Sequence, residues 1–121
     1  MIFADTHVLV WLGQGSHRLP AQARDTLLDE GFAISAVTSW EYADLQGRGR
    51  LGEAVLLHDI LEAFASSVVD FPAAAADIAA SLPQGHGDPV DRMLVGHAMS
   101  AGAVLATADR KMRQYPVRLL W

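Results

Sequence analysis

The fold class this sequence predicts is an α/β domain built on a parallel sheet, and three observations carry it. Short apolar runs recur along the chain, at Ile2-Phe3-Ala4, residues 32–35, Val68-Val69, residues 103–106 and residues 117–120. Stretches whose apolar residues recur at helical spacing separate these runs. With 121 residues, 51% of them hydrophobic, there is enough material for a sizeable core. Strands buried on both faces and alternating with helices belong to parallel sheets, so residues 1–121 are read as one compact soluble domain.

The elements follow in order. The first strand ends at Asp5, and residues 6–12 read as a short helix closed by Gly13-Gln14-Gly15. Residues 20–30 form an amphipathic helix with Leu19, Ala23 and Leu27 inward and Gly31 at its C-cap. After the second strand, Ser35 caps a helix over 36–46 that Gly47 ends. Val37, Glu41 and Leu45 share one line of that helix, with Trp40 beside them and read as core. The connector Gly47-Arg48-Gly49-Arg50-Leu51-Gly52 lacks the Gly-Lys-Ser/Thr ending of a phosphate loop. Residues 51–65 read as a further helix with Val55, Leu56, Ile60, Leu61 and Phe64 on its apolar side. That face serves either the core or a partner. The strand Val68-Val69 ends at Asp70, and an alanine-rich helix over 73–82 stops at Leu82-Pro83.

The most informative stretch is His86-Gly87-Asp88-Pro89-Val90-Asp91-Arg92. Asp88 suits an N-cap, Pro89 the first helical position and Gly102 the position past the end. Asp91, Leu94, Val95 and Ala98 then fall on one face. A carboxylate on an apolar stripe requires a cation or a hydrogen-bonding partner. Taken alone, two acids at a helix start also stabilise it by capping and by the macrodipole. Beyond this helix come the strand 103–106, Thr107-Ala108-Asp109, a short basic helix over 110–114 and the strand 117–120.

Composition narrows the functional classes. A net charge of −5 argues against non-specific nucleic-acid affinity over the whole surface. It leaves room for a nucleic-acid enzyme whose acidic site is filled by a divalent metal. The cations gather at Arg48 and Arg50 and at Arg110, Lys111 and Arg113, and are read as solvated. With no cysteine there is neither a disulfide framework nor a thiolate metal site. No apolar run is long enough to span a bilayer, and Met1-Ile2-Phe3-Ala4-Asp5 is not a signal peptide, so the cytoplasm is the expected compartment.

Ligands of open parallel sheets bind outside the carboxyl ends of the strands. Asp5 and Asp109 follow strands directly, and Glu41 and Asp91 lie in the first two turns of helices that begin at the same edge. Four carboxylates brought together repel strongly. A hard cation with oxygen ligands, Mg2+ or Mn2+, resolves the conflict. The chemistry such a site offers is metal-assisted attack of water on a phosphodiester. Thr6 and Thr107 stand beside strand ends, where they hold a water or a carboxylate or simply cap. Glu41 has an alternative role as capping-box partner of Thr38.

Asp5-Thr6-His7, Ser35 followed by Trp40-Glu41, the 86–92 stretch and Thr107-Ala108-Asp109-Arg110 together resemble a PIN domain. They resemble most the VapC-type toxins of bacterial type II toxin–antitoxin systems, over essentially the whole chain. The resemblance implies a three-layer α/β/α fold with a central parallel sheet of about five short strands. It also implies a Mg2+-dependent endoribonuclease acting on RNA, a homodimer, and silencing by a small cognate antitoxin protein. Carried over, Asp5 and Asp91 are the principal metal ligands. Glu41 and Asp109 complete the acidic pocket, directly or through water. Asp88 matches a recurrent position but is assigned to helix capping, and Arg92 either places substrate phosphate or pairs with an acid. Arg50 stands where relatives carry lysine. His7 and His86 are read as structural. The alternatives are a catalytically silent binding module of the same fold and a phosphatase with Asp5 as nucleophile. The phosphatase commonly wants a second Asp where this chain has His7.

Overall fold

The computed structural model describes residues 1–83 and 88–121; the glycine-rich loop with His86 lies outside the described residues. Along the chain run β1 (Ile2–Ala4), α1 (Thr6–Gln14), α2 (Ala21–Glu30), β2 (Ile34–Ser35), α3 (Ala36–Gly47), α4 (Leu57–Ala63), β3 (Val68–Val69), α5 (Ala73–Ser81), α6 (Pro89–Ala101), β4 (Val104–Ala106) and a 3-10 helix at Arg110–Gln114.

The strands pair in parallel, β1 with β4 (Phe3 opposite Leu105) and β2 with β3 (Ile34 opposite Val68). A single bridge between Phe3 and Ala33 joins the two pairs, and another sets Leu119 beside Leu105. The spatial order is therefore β3, β2, β1, β4 and then the Leu119 segment. The expected strand over 117–120 is reduced to that bridge. Pro116 precedes it and Val117 N–H turns back to the Tyr115 carbonyl, so pairing is confined to Leu105 with Arg118 and Leu120.

Period-2 alternation divides the core. Ile2, Ala4, Ile34 and Ala106 face α1, α2, Tyr42 of α3 and Ile60 of α4. Phe3, Ala33 and Leu105 face Leu94, Val95 and Ala98 of α6. This is the expected α/β/α layering. Helix α6 is covered on its outer side too, because α5 packs on it. A methyl group on Gly96 would lie 2.6 Å from the Ala75 carbonyl oxygen and 2.9 Å from the Ala79 nitrogen, so glycine is required there.

Two expectations are corrected. Trp40 is 58% exposed, because the buried line of α3 is Thr38 and Tyr42, one helical turn apart; Val37, Glu41 and Leu45 flank it half-buried. The helix expected over 51–65 shrinks to Leu57–Ala63. Gly52 takes a left-handed φ of +63, and side chains of α3 claim the carbonyls a helix would use. Tyr42 hydroxyl donates to the Val55 carbonyl and Gln46 Nε2 to the Ala54 carbonyl. Leu56, placed on the apolar side by periodicity, is 60% exposed.

Candidate active site

The site grows from helix starts at the carboxyl edge of the sheet. Asp5 leaves β1 in extended backbone and caps α1, its Oδ1 accepting from the Thr6 N–H at 2.7 Å. Its Oδ2 accepts from the Thr107 hydroxyl at 2.7 Å, which ties the end of β1 to the end of β4. Thr107 Oγ1 in turn accepts from the Asp109 N–H at 3.1 Å, and Asp109 caps the 3-10 helix through the Lys111 N–H at 3.0 Å. Asp88 caps α6, accepting from the Val90 N–H at 2.9 Å. Three N-termini, each lending partial positive charge, therefore start beside carboxylates.

Glu41 lies in the second turn of α3, and its Oε1 accepts from the Thr6 hydroxyl at 2.5 Å. The alternative capping box with Thr38 does not form: the helix starts at Ala36 under Ser35, whose Oγ accepts from the Val37 N–H. Thr38 Oγ1 is buried without a hydrogen-bond partner among the described residues.

Asp5, Glu41, Asp91 and Asp109 line one open pocket of about 370 Å³, together with Asp88 and Thr107. Thr6, buried, reaches it through its bond to Glu41. Burial pushes the Asp5 carboxyl above its ordinary pKa, opposed by the Thr107 and Thr6 hydrogen bonds and reinforced by Asp109. Glu41 is raised for the same reason, opposed by Thr6 and reinforced by the charges of Asp5 and Asp88. No lysine or arginine among the described residues forms an ion pair with Asp5, Glu41 or Asp109. Nor, among the described residues, is any group of three His, Asp or Glu side chains placed to hold a metal ion as it stands.

A PIN domain family model matches residues 2–117. The chain belongs to the PIN domain family. It is 30% identical over 119 residues to Ribonuclease VapC22 of Mycobacterium tuberculosis (strain ATCC 25618 / H37Rv), covering 94% of this chain and 91% of that protein. Among solved structures it is similar to VapBC2 from Rickettsia felis bound to a DNA fragment from their promoter. There the TM-score is 0.66 at 19% identity, over 98% of this chain and 97% of that one. FitAB bound to the IR36 DNA fragment gives a TM-score of 0.63 at 18% identity, over 99% and 94%.

In this PIN domain Arg92 stands apart from the acids. Its guanidinium donates to the carbonyls of Ala79, Leu82 and Pro83 at 2.8, 3.1 and 2.7 Å. It closes the C-terminus of α5 and does not line the pocket, so the geometry assigns it to neither substrate phosphate nor an acid. The pocket wall also holds His7, exposed, and Trp11, whose ring centroid lies 6.4 Å from that of His7. His7, read from sequence as structural, thus stands at the site. Both were discoverable: one turn apart on α1, they follow Asp5 on its pocket side. A second buried polar residue, His97, gave no signal, because it lies outside the Asp91, Leu94, Val95, Ala98 stripe. Its Nδ1 is 2.7 Å from Ser35 Oγ.

Proposed function

We propose that this PIN domain, with residues 1–121 acting as one unit, is a metal-dependent endoribonuclease and the toxin of a toxin–antitoxin module. The observation that carries the reading is the convergence of Asp5, Glu41, Asp91 and Asp109, from four separate segments, on one pocket where Asp5 is buried with no lysine or arginine ion pair among the described residues. The kinship with Ribonuclease VapC22 supports RNA as substrate. The donors fit a hard divalent cation, since all four are carboxylates. Asp5 and Asp91 would be its principal ligands, with Glu41 and Asp109 reaching it directly or through water. Bound Mg2+, or Mn2+ in its place, would offset the carboxylate charge, neutralise charge on the phosphodiester and lower the pKa of water.

The chain's own residues prepare that pocket. Thr107 and the Thr6 N–H hold both oxygens of Asp5, and the Thr6 hydroxyl holds Glu41. The helix caps at Asp5, Asp88 and Asp109 keep the acids at helix N-termini, where negative charge is favoured. Likeness to VapBC2 and FitAB supports a small antitoxin protein as partner. Exposed Leu28, Trp40 and Leu56 offer apolar area to that partner or to a second copy.

Purified protein incubated with total RNA tests this. Discrete cut ends are expected with Mg2+ and none with EDTA or with Asp5→Asn. Equal cutting by Asp5→Asn would reject the assignment. The arrangement in which threonines hold Asp5 and Glu41 and, among the described residues, no three acids are placed for an ion favours a second reading, a silent binding module. A Mg2+ titration that leaves the melting temperature unchanged, with no cutting, would select it.

A further inference from the structure

Next to the acidic pocket lies a second concavity of about 170 Å³ that shares the Thr107-Ala108-Asp109 segment as a wall. Its other lining is Arg110, Arg113, Leu119 and Trp121. Neither guanidinium forms an ion pair among the described residues. In a chain of net charge −5, two unneutralised arginines in one cleft reverse the local sign of charge beside four acids. Asp109 on the shared wall turns an oxygen to the Lys111 N–H, while Trp121, half-buried against the core, lines the cleft.

A polynucleotide presents a phosphate and a flat base at each residue. Guanidinium groups suit the phosphate, and an aromatic face suits an unpaired base. The cleft is small, about 170 Å³, and two of its lining residues are arginines. We infer that it is the subsite for the nucleotide flanking the scissile phosphate of a single-stranded RNA. Arg110 and Arg113 hold its phosphate, and Trp121 stacks its base. This rests on the ribonuclease reading above. It adds that the substrate is unpaired at this position, because a base inside a duplex is not free to stack on a side chain.

The test reads binding without cleavage. A fluorescent single-stranded oligoribonucleotide and a hairpin duplex are titrated in EDTA against the full chain, in wild-type and Asp5→Asn backgrounds. Arg110→Gln and Arg113→Gln should each weaken binding and lower the log–log salt slope by about 0.7. Trp121→Ala should weaken the single strand about 5-fold or more, Trp121→Phe should restore most of that loss, and the duplex should be indifferent to both. Lys111→Gln, in the same turn but outside the cleft, should leave the slope unchanged. Thermal unfolding of each variant separates lost binding from lost fold. Slopes equal for Lys111→Gln and Arg113→Gln would mean diffuse charge and overturn the subsite. So would a parallel titration with polyglutamate in which Arg110→Gln and Arg113→Gln lose binding while their RNA binding stays intact, which would assign the cleft to an acidic protein partner. Absence of RNA cutting by the wild type would reject the nuclease while leaving this binding readout intact, so the two failures are distinguishable.

Discussion

His97 with Ser35 and Asp5 with its threonines are buried polar clusters on neighbouring strands, yet their chemistry differs. His97 is 1% exposed, meets Ser35 Oγ at 2.7 Å and stands between the rings of Phe3 and Phe71 at 4.8 and 5.4 Å. Burial holds its pKa below the ordinary value, so the ring is neutral and its partner satisfies it. Asp5 is 8% exposed and equally well hydrogen-bonded, but its charge meets further carboxylates and no lysine or arginine among the described residues. A satisfied neutral group stabilises the native state alone. A buried carboxyl crowded by further carboxylates is the kind of group from which a candidate site is argued.

The sharpest way to break that contrast is Asp5→Asn. It should lower RNA cleavage by on the order of 10³-fold, the loss of several kcal/mol of charge stabilisation. The same variant should melt higher than wild type without metal and gain nothing from Mg2+, both checked by thermal unfolding. An equal Mg2+ shift in both proteins would sink the contrast. His97→Ala should act the other way, lowering stability in urea by about 2–4 kcal/mol through cavity and lost hydrogen bond. Cleavage per folded molecule should stay at the wild-type level, and a drop there would make His97 part of the site. Thr107→Val lies between the two. Metal affinity measured by calorimetry should fall about 10–100-fold, as expected when a ligand loses its orienting partner, while stability changes by only about 1 kcal/mol.

The smallest effect is on pH dependence, where the two clusters should have opposite signs. The lowered His97 pKa means its contribution is full above its unfolded value of 6.5 and is lost as pH falls through the folded value. The raised carboxyls of Asp5 and Glu41 contribute fully below their unfolded values of 3.8 and 4.5, and that stability is lost as pH rises through their folded values. In melting temperatures of the metal-free protein followed across pH, Asp5→Asn should flatten the loss on the rising side. His97→Gln should flatten the loss on the acid side. Mg2+ should mimic Asp5→Asn and leave the acid side alone.

Much of this was legible residue by residue. Asp88, Pro89 and Gly102 mark the ends of α6 to the residue, because caps are local chemistry. Strand-end and helix-start positions were enough to bring Asp5, Glu41, Asp91 and Asp109 to one edge. The misreadings share another origin. Trp40 is exposed because Tyr42, with a polar tip, lies buried beneath the helix once the Val55 carbonyl is there to accept from it. Residues 51–56 are irregular because side chains of α3 take their carbonyls. Arg92 caps α5 across the fold, and His97 finds Ser35 sixty-two positions away.

Periodicity, capping chemistry and the placement of acids after apolar runs thus suffice to write the layers and the acidic edge of this PIN domain, since each depends on neighbours within a few residues. Strand order, the close seam at Gly96, the partner each buried polar group finds and the cleft at Arg110, Arg113 and Trp121 come from packing. They depend on which distant backbone and side-chain groups meet, and no local pattern encodes those meetings.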